Sequence, residues 1–361
     1  MHPDDTPEDE IPDADTPDRA TEAGDRAGAA PPEAPESAGA AEVAGPGEVA
    51  LGGTAGGTAA VATTERPIAL QTSSVSYRYG SFEAVAGLSL QVSDGEVYGF
   101  LGRNGAGKTT TIKMLMGVLK PRTGTVQYFD EPPRRRATIA AKRQIGYVSQ
   151  QQHFYPWMTG DALGRFVGRL YPQWDAAEYK RLLKLFEVPA DRRAGALSGG
   201  MRVKLALALA LAPRPKLLIL DEPMAGLDAV AQREFLDLVQ EQAQLYGRTT
   251  FFSSHRIHEV ERIGDRIGVI DAGELIYEGT ISALHDCVRV LRAPLGQPVA
   301  ELPAGVELLF QEERDGLRQR VVRIPDHATW DPTSFGGETL EELSLEDIFI
   351  AMVRDNTSLS R

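Results

Sequence analysis

The sequence predicts an α/β fold in which buried parallel strands present loops to a phosphate-bearing ligand, and two segments carry that expectation. Residues 102–109 read G-R-N-G-A-G-K-T, a full match to G-x-x-x-x-G-K-[ST], directly after the apolar run Val97–Leu101. Residues 216–222 read K-L-L-I-L-D-E, an apolar run suited to a buried central strand, with two carboxylates at its end. The first match has a mechanism. Glycines let backbone N–H groups curl around phosphate oxygens, a lysine reaches the β and γ phosphates, and the next hydroxyl ligates Mg²⁺. Lys108 and Thr109 take those two roles, so the loop implies a bound nucleoside triphosphate with Mg²⁺. Ile112, Leu115, Met116 and Leu119 share one helical face, and Pro121 and Gly124 stop the run. The helix they predict aims its positive N-terminal end at the phosphates.

Charge is distributed unevenly along the 361 residues. Residues 1–66 carry 15 acidic and three basic side chains, whereas the remainder carries 36 and 35. The acidic segment is mostly Asp, Glu, Pro, Ala, Gly and Thr, too poor in apolar groups to offset its ordering entropy, and is expected to be a disordered tail. The N-terminus is acidic where a secretory leader would be basic, and no apolar run reaches the 18 to 20 residues of a membrane-spanning helix. A protein that stays inside the cell is expected. If it works at a membrane, another chain spans it. Cys287 is the only cysteine, which excludes an internal disulfide and a cysteine-cluster metal site. The near-neutral remainder shows no basic stripe, so no nucleic-acid partner is expected.

At the acidic strand end, Asp221 is expected to hold Mg²⁺ through water, and Glu222 to polarise the attacking water as general base. Upstream, Leu197, Ser198, Gly199, Gly200 and Met201 precede a Leu/Ala run over 205–212. Its alternation imitates a strand, but both residues are strong helix formers and the run is apolar all round, so a buried helix is predicted.

L-S-G-G ahead of such a helix, followed by L-L-I-L-D-E-P, resembles the nucleotide-binding domain of the ABC ATPases. The resemblance spans roughly residues 67–285. It implies a P-loop NTPase core with an antiparallel β subdomain and a helical insert at about 151–200. The ATP-binding set it implies is Gly102, Asn104, Gly105, Ala106, Gly107, Lys108, Thr109 and Thr110, with Tyr79 stacking on adenine and Tyr77 as the alternative. Gln150, after 145–149, would sense Mg²⁺ and the attacking water. His255, after the strand 251–254, would contact the γ-phosphate. Ser198, Gly199 and Gly200 would bind ATP held by a second subunit, and Asp228 would lie in the loop crossing the dimer interface. The sequence departs from the family pattern at Met201, where many members have Gln, and at Met224, often Thr or Ser.

The step from Gly102 to Ser198 is only 96 positions, which leaves no room for the long coiled coil of the family's chromosome-maintenance and DNA-repair members. One phosphate loop and one signature also disfavour the two-cassette translation-factor type. A transporter subunit remains, dimeric and partnered by transmembrane permease subunits, peripheral on the inner face of the cell membrane. Residues 170–175, Met201 and 205–211 resemble ABC-2 type exporter ATPases, including the bacterial multidrug group. A soluble ABC ATPase acting as a mechanical or regulatory switch is the alternative. The aromatic cluster 153–158 lies where the family receives a coupling helix, and its rings also suit packing of the insert. Beyond 285 the pattern fades. Residues 288–291, 306–310 and 317–324 read as short strands, with Asp315-Gly316 as a hairpin turn, which predicts a small β-rich appendage over 286–361. Residues 340–352 resemble the terminal helix of exporter ATPases, with Leu345, Ile348, Phe349 and Met352 on one face.

Overall fold

The apolar runs fall where a sheet covered on both faces needs them. A computed structural model describes residues 66–324 and 332–359, so the expectation of a disordered tail lies, Arg66 apart, outside the described residues. The chain begins with a long hairpin, β1 (Ile68–Tyr79) and β2 (Phe82–Ser93), then β3 (Val97–Leu101), α1 (Lys108–Leu115) and β4 (Thr123–Tyr128). Next come α2 (Ile139–Arg143), β5 (Ile145–Val148), α3 (Gly160–Gly168), α4 (Ala176–Leu185) and α5 (Gly199–Leu211). The second half of the core is β6 (Leu217–Asp221), α6 (Ala229–Tyr246), β7 (Thr249–Ser254), α7 (Ile257–Ile263), β8 (Arg266–Asp271) and β9 (Glu274–Thr280). After α8 (Ile281–Cys287) follow β10 (Val288–Pro294), β11 (Glu307–Arg314), β12 (Leu317–Arg323), β13 (Thr339–Glu341) and α9 (Leu345–Leu359).

Six strands form one sheet in the order β5-β6-β7-β3-β8-β9, parallel except for β9. Every residue of β3, β6 and β7 is buried, as expected for strands with both faces covered. Their parallel register brings Leu101, Asp221 and Ser254 to one edge, where strand-end loops of such sheets bind ligands. A second, antiparallel sheet, β2-β1-β4, shares an apolar cluster with it through Val85, Leu88, Tyr98, Ile112, Val126 and Phe251.

Most of the helices start on side-chain caps, α1 and α7 being the exceptions. Thr138, Thr159, Asp175, Ser198, Asp228 and Thr280 each accept a hydrogen bond from the backbone N–H three residues on, at α2, α3, α4, α5, α6 and α8. The Leu/Ala run is helical, in α5, and Leu205, Leu207, Ala208 and Leu211 are buried on several sides of it. Helix α1 is shorter than its periodicity predicts. It ends at Leu115 because Gly117 turns the chain with φ +64°, leaving Met116 and Leu119 half-buried in the following turn.

The strands expected beyond 285 are present, in a four-stranded antiparallel sheet β11-β12-β10-β13, with Asp315 and Gly316 at positive φ in the β11–β12 turn. The terminal helix begins later than expected. Leu340 sits opposite Leu291 in the β10–β13 ladder, and α9 starts only where the Ser344 hydroxyl accepts from Asp347 N–H. Val288, Val290, Ile348 and Met352 belong to the same apolar cluster as Val260, Ile263 and Leu205, so this sheet and α9 share a core with the larger one. No helix among the described residues is long and apolar enough to cross a membrane.

Candidate active site at the strand ends

The phosphate loop grows directly from β3. Gly102 N–H donates to the Ser254 carbonyl at the end of β7, and Ala106 accepts from Gly273 N–H, so the loop is tied to two neighbouring segments. Gly107, which precedes α1, has φ +111°, and a Cβ there would lie 2.6 Å from the Ala84 carbonyl oxygen. Only glycine fits. Asn104, Gly105, Gly107, Lys108, Thr109 and Thr110 line a cleft of about 390 Å³ with Gln150, Glu222, Tyr79, Phe82 and Ala84. The backbone N–H groups at the start of α1 therefore open into a space large enough for phosphates.

Glu222 is the hub of this cleft. Its Oε1 lies 2.9 Å from Lys108 Nζ, with the two side chains 9% and 3% exposed. Lys108 Nζ also donates to the carbonyls of Gly102, at 2.7 Å, and Arg103, at 3.1 Å. Glu222 Oε2 accepts from Gln150 Nε2 at 3.3 Å and lies 3.3 Å from His255 Nδ1. Glu222 has φ +41°, a left-handed conformation that costs energy in a non-glycine residue and is held here by Ser253 Oγ, which accepts from Glu222 N–H.

Asp221 sits one layer deeper. It accepts from Thr109 Oγ1 at 3.2 Å and from Ser253 Oγ at 3.1 Å. Burial pushes its carboxyl above the ordinary value, against the pull of those two hydroxyls, while the Glu222 carboxylate adds to the rise and Lys108 opposes it. A carboxylate in this position is stabilised by a cation. One or two carboxylates with a hydroxyl and substrate phosphates is the donor set Mg²⁺ takes, so the pair Thr109 and Asp221 fits that ion. Among the described residues no cluster of three or more His, Cys, Asp or Glu gathers to hold a metal without a substrate.

Of the two tyrosines weighed for the base, Tyr79 lines the cleft. Tyr77 packs against the apolar cluster and meets the Tyr79 ring edge-on, centroids 4.9 Å apart. Ser198, Gly199, Gly200 and Asp228 line a different cleft, of about 510 Å³, together with Met201 and Lys204. The structure thus gathers Tyr79, the phosphate loop, Gln150, Asp221, Glu222 and His255 in one place and keeps the signature residues in another. In the aromatic cluster, Phe154 and Met158 pack against the core while Tyr155 and Trp157 are exposed, stacked at a tilt with centroids 5.1 Å apart.

Three features escaped the sequence reading. Ser253 bridges Asp221 and the Glu222 backbone, and as one of four hydroxyl residues on the strand Thr249–Ser254 it carried no signal of its own. Phe82 lines the cleft beside Tyr79, and an isolated Phe at a strand start gives no signal. The Lys108–Glu222 pair joins two motifs far apart in the chain, which no local pattern reports.

The ABC transporter family model matches residues 85–225. The Nod factor export ATP-binding protein I of Paraburkholderia xenovorans is 39% identical over 281 residues, which cover 75% of this chain and 84% of that protein. The bacitracin transport ATP-binding protein BcrA of Bacillus licheniformis is 35% identical over 58% of this chain and 69% of its own length. A solved dimeric bacterial ABC transporter cassette superposes with a TM-score of 0.53 at 25% identity, covering 59% of this chain and 98% of the cassette.

Proposed function

This chain belongs to the ABC transporter ATP-binding proteins, a family of ATPases, and from that membership we propose that it drives export through separate transmembrane subunits, dimerising around two ATP molecules. The observation that carries the reading is the Glu222 carboxylate, held against Lys108, Gln150 and His255 beside the Asp221–Thr109 pair. It supplies every part that phosphoryl transfer to water needs from a protein: a base, a fixed cation and groups that position the nucleophile.

On this reading the phosphates lie on the N–H groups of residues 104–110, and Lys108 exchanges Glu222 Oε1 for a phosphate oxygen. The carboxylate so released stays oriented by Gln150 and His255, and takes a proton from the attacking water at Oε. His255 then faces the γ-phosphate. Mg²⁺, held by Thr109 and Gln150 and through water by Asp221, would neutralise charge on the phosphate oxygens. Ser198, Gly199 and Gly200, at the start of α5, offer backbone N–H groups to ATP bound by the second subunit, and Asp228 lies in the loop at that interface. The exposed rings of Tyr155 and Trp157 are offered to a coupling helix of the permease, which holds the protein on the inner face of the membrane. Residues 67–285 then constitute the ATPase domain, with 151–200 as its helical insert and 286–361 as an appendage.

Detergent co-purification of a tagged Glu222→Gln variant from its native cells, with ATP and Mg²⁺, tests the proposal. The expected result is a stoichiometric polytopic membrane protein identified by mass spectrometry. Recovery of soluble partners alone, with the chain absent from the membrane fraction, overturns transport in favour of a soluble switch.

A further inference from the structure

The tip of the first hairpin carries a second exposed aromatic that no motif accounts for. Tyr79 and Phe82 are directly opposed in the β1–β2 ladder, joined only by Gly80 and Ser81. Directly opposed residues of an antiparallel pair project to the same face, with Cβ atoms about 4.5–5.5 Å apart. Both side chains line the cleft that holds the phosphate loop. Phe82 is 63% exposed and Tyr79 47%, a pair of large rings left in water beside the phosphate loop.

The tip is braced. Arg78 Nη2 donates to the Ser81 carbonyl at 2.8 Å, closing the turn, and Tyr77 holds the Tyr79 ring edge-on from the core side. Two residues beyond Phe82, the Ala84 carbonyl abuts Gly107, so the strand that bears Phe82 is fixed against the phosphate loop itself. A rigid, solvent-facing aromatic pair at a fixed offset from a phosphate cradle suits a planar ring attached to those phosphates. From this we infer that Phe82 is a second base-contacting residue, which extends the apolar surface that Tyr79 offers to the nucleoside base. The inference rests on the reading that this cleft binds ATP, and extends it to a residue outside the recognised motifs.

Aromatic contacts to a base are individually modest, so Phe82→Ala, with Tyr79 intact, is expected to weaken binding about 5- to 10-fold. The test measures Mg²⁺-dependent binding of ATP, ADP and inorganic tripolyphosphate to the full chain and its variants, together with steady-state hydrolysis. Phe82→Ala should weaken ATP and ADP alike, leave tripolyphosphate affinity at the parent value, and raise KM without lowering kcat. Phe82→Tyr should restore the parent KM. Unchanged ATP and ADP affinity in Phe82→Ala, or an equal loss for tripolyphosphate, overturns the role in base binding. Lys108→Ala separates the two levels of inference: should it bind ATP as tightly as the parent, the cleft reading itself fails, whatever Phe82 does.

Discussion

Replacing Glu222 by Gln should have opposite consequences for the empty and the loaded protein. In the empty cleft the substitution removes the negative partner of Lys108, a side chain only 3% exposed. Breaking a buried ion pair outright costs about 3–5 kcal/mol, because the remaining charge is stranded. Here Lys108 keeps the carbonyls of Gly102 and Arg103, and the amide oxygen of Gln can still accept. The expected loss is therefore about 1–3 kcal/mol, the cost of an incompletely satisfied buried group. That corresponds to a fall of roughly 2–8 °C in Tm for a chain of this size. With ATP and Mg²⁺ the phosphates replace the missing charge, so the variant should gain more Tm from nucleotide than the parent does. Turnover should meanwhile fall by about 10²–10⁴-fold, the contribution of a positioned general base. Differential scanning fluorimetry with and without nucleotide, alongside a phosphate-release assay, reads all three quantities. A nucleotide-free Tm equal to the parent's would refute the Lys108–Glu222 pair as a buried interaction. Near-parent hydrolysis would refute Glu222 as the base.

Lys108→Ala should weaken ATP binding and lower turnover together, measured by titration calorimetry and steady-state kinetics, because the residue faces both the phosphates and the base. Asp221→Asn should abolish Mg²⁺-dependent turnover yet stabilise the nucleotide-free protein near neutrality. Its folded-state pKa is raised by burial, so the ionised form carries a penalty above that value which is absent below the ordinary carboxylate range. The stabilisation should therefore shrink as pH falls through the raised value toward the ordinary one, in thermal melts run across acidic pH. Glu338→Gln should cost about 3–5 kcal/mol by urea unfolding, since this buried carboxylate is paired with both Arg318 and Arg320, themselves buried, and its loss strands two cations. Ser198→Ala should cost about 1 kcal/mol of stability in addition to any catalytic defect, because the hydroxyl caps α5 by accepting from Met201 N–H.

What was legible in the sequence was what short-range chemistry determines. The run Val97–Leu101 followed by G-R-N-G-A-G-K-T could fold only as a buried strand feeding a phosphate loop, and the composition of α5 outweighed its strand-like alternation. The ends of elements were read less well. Periodicity carried α1 past Leu115 because the positive φ of Gly117 leaves no trace in a hydrophobic pattern, and the family resemblance carried α9 back to Leu340 because a pairing with β10 is non-local. The same limit applied inside the cleft. Each motif announced its own residue, but Lys108 touching Glu222, and Ser253 joining Asp221 to the Glu222 backbone, depend on the sheet order β6-β7-β3 that brings three distant strand ends together.

The placement of Lys108 and Ser198 in separate clefts of one chain has a consequence for inheritance. In an assembly that completes each site from two chains, a lesion belongs to the chain but its effect falls on a shared site. A copy damaged at Ser198 and a copy damaged at Lys108 would, when paired, concentrate both lesions in one site and leave the other whole, so two broken alleles could complement. A single broken allele expressed beside a sound one would likewise leave one whole site in every mixed pair, and only pairs of two copies broken in the same way would have none. Dosage, and not only sequence, would then decide the phenotype.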